Sequence, residues 1–74
     1  MEFVIVVYPT ARPVQVDGHD SGITNDLLRV DAGTHVFRLG EPLDFEPEFL
    51  EVRVENTTSL DPMEITFSPK GVTG

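Results

Sequence analysis

Two stretches of the chain hold the residue types that chemistry needs. Asp17-Gly18-His19-Asp20-Ser21-Gly22 gathers carboxylates, an imidazole and a hydroxyl, and Glu41, Asp44, Glu46 and Glu48 stand close together beside Phe45 and Phe49. A nucleophile triad requires Ser, His and Asp converging from different directions, each hydrogen-bonded to the next. Neighbours in one tight loop point apart, and Asp-Gly is itself a strong turn signal. The first stretch therefore reads as a structural turn. As a Ca²⁺ site it is incomplete, because Asp17, Asp20 and Asp26 lack the alternating spacing and closing bidentate Glu of an EF-hand. Zinc fares no better: His19 and His35 are the only imidazoles and there is no Cys, so any third ligand must be a carboxylate. No catalytic residue, metal or cofactor is expected.

The second stretch is more open. Paired carboxylates serve glycoside hydrolysis, but a cleft that holds a sugar is hard to build from 74 residues. A solvated acidic loop is the ordinary fate of such a charge run. Leu43 and Phe45 are expected to tuck over one end of the core. If the chain has a binding surface it is this loop, with Glu41, Asp44, Phe45, Glu46 and Phe49 as the candidate residues, since aromatics among carboxylates anchor basic or sugar-bearing partners. Asn56-Thr57-Thr58 has the form of a glycosylation acceptor but reads as a turn.

These residues have little chain to hold them. Seventy-four residues fill one core, and at this size only about 60% of the unfolded chain's surface is buried. Without Cys there is no bridge to help, so stability rests on packing, strand pairing or a partner. The formal net charge is -8, and the five cations Arg12, Arg29, Arg38, Arg53 and Lys70 are scattered singly. That field repels a duplex or an anionic membrane; neither nucleic acid nor a membrane is an expected partner. The N-terminal apolar run ends at Pro9 and lacks a signal peptide's charged start and cleavage pattern. As written, the chain is expected in the cytoplasm, or at a cell surface if it is a piece of a longer protein.

The elements follow from periodicity. Phe3 to Tyr8 is a β-branched and aromatic run bounded by Pro, a strand apolar on both faces and therefore central. Val14 to Asp17 alternates and stops at Gly18. His19 to Asp31 has no sustained period and reads as a loop, with Gly22 at a positive φ, and with either one helical turn capped by Thr24-Asn25-Asp26 or a short strand near Leu27 to Val30. Asp31-Ala32-Gly33 is a turn into a strand whose His35, Phe37 and Leu39 share one side; His35 is expected to be partly buried against a loop carbonyl. Leu50, Val52 and Val54 alternate with Glu51, Arg53 and Glu55, one dry face and one wet. Met63, Ile65 and Phe67 repeat the pattern up to Pro69. Short strands separated by Gly, Pro and Asn turns predict an all-β chain, a small antiparallel β-sandwich of about six to seven short strands. The domain runs over 1–69, with a flexible tail at 70–74.

These segments resemble a PEGA domain. Val4 to Tyr8 corresponds to the family's first strand, and Pro9-Thr10-Ala11-Arg12 occupies the place of its Pro-Glu-Gly-Ala motif. Val14-Gln15-Val16-Asp17-Gly18 is similar to its apolar-x-apolar-Asp-Gly strand. Gly22-Ile23-Thr24-Asn25 stands where Gly-x-Thr-Pro falls, Leu28 and Val30 follow, and Gly33-Thr34-His35 opens the next strand. Only Pro9 of the tetrapeptide is kept, Asn25 replaces the turn Pro, and the family's Gly-Tyr pair gives way to the Glu41 to Glu48 loop. The resemblance implies a transthyretin-like or carboxypeptidase-regulatory-like sandwich that acts as an accessory module, with no catalytic residues to carry over. The expected function is non-enzymatic: protein–protein contact or homo-oligomer assembly through an edge strand or the loop 41–49. The alternative is a carbohydrate or cell-envelope binding module with a platform drawn from Tyr8, Phe45 or Phe49.

Overall fold

The computed structural model describes residues 1–70, and there the chain is all-β. In order the strands are β1 (Glu2–Val7), β2 (Pro13–Val16), β3 (His19–Ile23), β4 (Leu27–Val30), β5 (Gly33–Leu39), β6 (Phe45–Glu46), β7 (Leu50–Val54), β8 (Met63–Thr66) and β9 (Ser68–Pro69). One sheet has the order β4-β1-β8 and the other β3-β2-β5-β7, while β6 and β9 form a two-stranded ribbon. No helix of the described residues is long and apolar enough to cross a membrane.

Alternation builds the interior. Val4 and Val6 of β1, Leu28 of β4 and Ile65 of β8 are buried together with Val14 and Val16 of β2, Phe37 and Leu39 of β5 and Val54 of β7. Tyr8, Phe45 and Phe67 complete the cluster from segments at the strand ends. This is a small β-sandwich, as the periodicity predicts. Val52, Leu50 and Met63 pack against its margin and are only partly buried. Burying a side chain such as Phe37 or Leu39 contributes about 1.5–3 kcal/mol, and in a chain of this size the core has few such residues.

The topology adds what periodicity alone does not give. β1 is central, antiparallel to β4 but parallel to β8, with Val4 beside Met63 and Val7 beside Thr66. The parallel pair arises because the chain leaves β7, crosses between the sheets through loop 55–62, and re-enters in the direction of β1. Lys70, expected as the first residue of a flexible tail, is tied to the fold, since its N–H donates to the Asp44 carbonyl at 2.8 Å. The remainder of that tail, 71–74, lies outside the described residues.

Of the segment expected as a loop from His19 to Asp31, the alternative with a short strand at Leu27 to Val30 is β4, while His19–Ile23 is a strand that the periodicity does not give, β3. β3 pairs with β2 through a two-residue hairpin turn, Val16 facing His19, with Asp17 and Gly18 at φ 53 and 85. Two successive positive φ values make a type I′ turn, whose twist matches that of its strands. Gly22 is not at a positive φ, and its role is a close approach. A Cβ there would collide with Leu28 Cδ2, a side chain buried in the core. The Thr24-Asn25 turn caps no helix. Asn25, at φ 64, adopts a conformation closed to the proline of the Gly-x-Thr-Pro turn, because the ring fixes φ near about -65°. Its N–H donates to the Val6 carbonyl at 2.7 Å and its side-chain amide donates to the Tyr8 carbonyl at 2.7 Å. Thr24 is the buried polar residue of the region; its hydroxyl donates to the Thr10 carbonyl and accepts from the Arg12 N–H.

Replacing Gly22 by Ala should displace Leu28 and cost about 1–3 kcal/mol, the range for overpacking a filled interior. Urea unfolding of the two proteins measures this, and a change within error would show that Leu28 has another place to go.

Candidate functional site

The acidic loop is a closure over one end of the sandwich, and Arg12 is its fastener. Arg12 leaves the linker between β1 and β2 with its side chain mostly buried, one terminal nitrogen 2.8 Å from Asp44 Oδ1. The other terminal nitrogen donates to the carbonyls of Gly40 at 2.8 Å and Pro42 at 2.6 Å. The guanidinium carbon lies 5.6 Å from the Tyr8 ring centroid and 5.8 Å from that of Phe45. A flat, forked cation suits this place, since it stacks on rings while donating in several directions. Its charge holds the Asp44 carboxyl below its ordinary range, chiefly through the hydrogen bond it gives. The peptide bonds before Pro42 and Pro47 are cis.

This arrangement redistributes the candidate binding residues. Phe45 is corrected: it does not present its ring to a partner, because only 2% of it is exposed and it packs edge-on against Phe67 at 5.7 Å. The tuck expected of Leu43 and Phe45 holds for Phe45 alone, since Leu43 is exposed. Asp44 spends its charge on Arg12. Glu41, Glu46 and Phe49 face solvent, Phe49 with 53% of its surface open. The carbohydrate platform shrinks in the same way, because Tyr8 is buried like Phe45 and Phe49 is the one ring of the three left outside. A shallow hollow of ≈ 280 Å³ remains between Leu43, Phe45, Glu46, Glu48 and Lys70.

At another place on the surface the structure assembles a cluster that local sequence reading missed. Asp17, at the tip of the β2–β3 hairpin, takes an N–H from Val36 on Oδ1 at 2.9 Å and faces His35 Nδ1 with Oδ2 at 2.6 Å. The other ring nitrogen of His35 lies 2.7 Å from the Asp31 carbonyl, which is the loop carbonyl expected for it. The two partners raise the affinity of His35 for its proton, the Asp17 hydrogen bond foremost, and His35 in turn holds Asp17 below its ordinary range. Val16, His19, Ser21, Arg29 and Val30 complete the walls of an open hollow of ≈ 290 Å³ around the pair. Ser21 donates to the His19 carbonyl, and both nitrogens of His35 already have partners. The Ser, His and Asp of this region therefore form no proton relay. Among the described residues no group of three or more His, Cys, Asp or Glu side chains is disposed to hold a metal ion. Asp17-Gly and the later His on an apolar strand face were both visible as residues; the register that sets them side by side was not.

The sheet margins supply the remaining surface. β3 and β4 are outer strands of the two sheets and lie next to each other, and β7 and β8 are the outer strands at the other ends of those sheets. β7 pairs with β5 on one side, from Gly33 facing Val54 to Phe37 facing Leu50. Among the described residues no strand pairs with its other side. Phe49 precedes this edge directly, and Glu48, Glu51, Arg53 and Glu55 are exposed along it. Comparison with family models, with curated proteins and with solved structures finds no match for the chain.

Arg12→Ala should lower stability by about 1.5–3 kcal/mol, the range for losing hydrogen bonds to a charged group. Asp44→Asn should show a pH-dependent share of this. With its folded pKa depressed, Asp44 stabilises fully above its ordinary 3.8, and the contribution is lost as pH falls through the lower folded value. Denaturant unfolding of wild type and Asp44→Asn across acid pH should show a gap that closes only below that point.

Proposed function

We propose that the chain is a non-enzymatic β-sandwich module that binds a partner protein by taking an extended, basic segment as an added strand beside β7. The observation that carries this reading is the outer edge of β7, unpaired among the described residues, five residues long and without proline, with the exposed ring of Phe49 at its entrance. Strand addition draws affinity from backbone hydrogen bonds and needs no deep pocket, which suits a domain whose interior is fully used. Aromatic side chains, Phe included, are enriched at protein–protein interfaces.

Charge selects the kind of partner. Glu48 and Glu51 are exposed at the edge, and Arg53 pairs with Glu55 at 3.3 Å, within a chain of formal net charge -8. A segment carrying Lys or Arg is drawn in, while a second copy of this chain brings the same negative field to the contact. The acidic loop has a supporting part in this reading: fastened by Arg12, it fixes where Glu46, Glu48 and Phe49 stand. The resemblance to PEGA domains, with its implied accessory role, agrees with this. Of the rings in the carbohydrate reading, Tyr8 and Phe45 are buried and Phe49 is exposed.

Selection of random extended peptides on the folded protein should enrich sequences that alternate apolar and basic residues. Their addition should shift and protect the backbone amides of Leu50 to Val54 in NMR spectra, with an affinity that weakens as salt rises. Phe49→Ala should weaken the best peptide roughly tenfold, or ~1.4 kcal/mol. Protection confined to other strands, or enrichment of acidic peptides, would overturn the proposal.

A further inference from the structure

The contacts of His35 have a chemistry independent of any partner. A carboxylate oxygen and a backbone carbonyl are acceptors only, whereas a neutral imidazole has a single N–H. At 2.6 Å to Asp17 and 2.7 Å to Asp31, a neutral ring sets a lone pair against one of these oxygens. The distances are those of charge-assisted bonds, and both are satisfied together only when each nitrogen carries a proton.

The two acceptors belong to different parts of the fold. Asp17 is the tip of the β2–β3 hairpin, and Asp31 lies on the connection by which the chain leaves β4 in one sheet and enters β5 in the other. We infer that His35 is a proton-operated clasp: as an imidazolium it ties the hairpin tip to the connection between the sheets, and loss of its Nε2 proton releases the Asp31 side. Nε2 is the nitrogen that gives up its proton because Asp17, an anion, holds the Nδ1 proton more strongly than a neutral carbonyl holds the other. The clasp therefore opens at one end only, freeing the connection that carries edge strand β4 while the hairpin stays attached.

Asp17 on the hairpin and Asp31 on the connection favour the closed form. His19 of β3, Arg29 of β4 and Met1 line the same hollow, and the Arg29 cation opposes the charge on the ring. From β7 the residue opposite His35 is Val52, which has no charge, and Phe37 meets the ring edge-on at 6.3 Å. His35 keeps 15% of its side chain exposed, so solvent hydroxide has access to it. A folded-state pKa raised above the ordinary 6.5 means that the clasp stabilises fully below that pH and is lost as pH rises through the folded value. The lowered pKa of Asp17 sets the acid limit in the opposite sense, with loss as pH falls through its folded value. Between the two limits the clasp is closed.

Imidazole NMR of the whole chain across neutral and alkaline pH tests this. The His35 midpoint should lie above 6.5, the neutral ring should carry its proton on Nδ1, and the amides of Ala32 and Gly33 should shift with the same midpoint. Their hydrogen exchange should accelerate beyond what base catalysis alone produces. Asp17→Asn should lower the midpoint and remove the preference for Nδ1. A midpoint at or below 6.5, a neutral ring protonated on Nε2, or amides at 32–33 that ignore the titration would overturn the clasp. The tautomer and amide measurements are made on wild type, so a poorly folding variant does not weaken them.

Discussion

Val4 and Val6 of one sheet share a solvent-free interior with Phe37 and Leu39 of the other, and each polar feature of the surface is placed by that contact. Period-two burial fixes the register of every strand, because a slip by one residue would turn its apolar set outward. With register fixed, Asp17 comes to rest beside His35, although they are far apart in sequence, and β7 comes to rest at an edge. The sequence has no Cys to form a disulfide, so the positions of the polar groups depend on a small number of aliphatic and aromatic contacts.

Where strands end, side chains take over the role of the ladder. Buried backbone groups need partners, and the chain supplies them from residues far away. Arg12 serves the carbonyls of Gly40 and Pro42, Thr24 and Asn25 serve the strand exit at Val6 to Arg12, and Thr57 donates to Glu2 while accepting from the Phe3 N–H. Each tie joins segments that the sheets leave unconnected. The loops are thus fixed by polar contacts with defined geometry, and a loop rich in carboxylates becomes a positioned surface.

Much of this architecture is legible in the residues and some of it is not. The alternation in Leu50 to Val54 and in Met63 to Phe67 gives both strands and their inward faces, and Asp17-Gly18 gives the hairpin turn. β3 was hidden because Asp20, Ser21 and Gly22 have weak strand preference; the turn and the pairing with β2 make it a strand. Gly22 signals a glycine requirement without saying which kind, and the answer depends on Leu28 of a neighbouring strand. Phe45 has the same appearance whether it anchors a partner or fills a core. What decides is Arg12, a lone cation in composition that the fold carries to Asp44. The parallel pairing of β1 with β8 has no local signature.

That pairing has a consequence for how the molecule is made. Val4 lies beside Met63, so the central strand of one sheet must wait for a strand synthesised much later in the chain before both its ladders are complete. Contacts between such distant parts of a chain slow the search for the native state. During synthesis β1 therefore remains an apolar ribbon with an unfilled side, and shortening the chain before Met63 would remove a wall of the interior from a sheet that is otherwise whole.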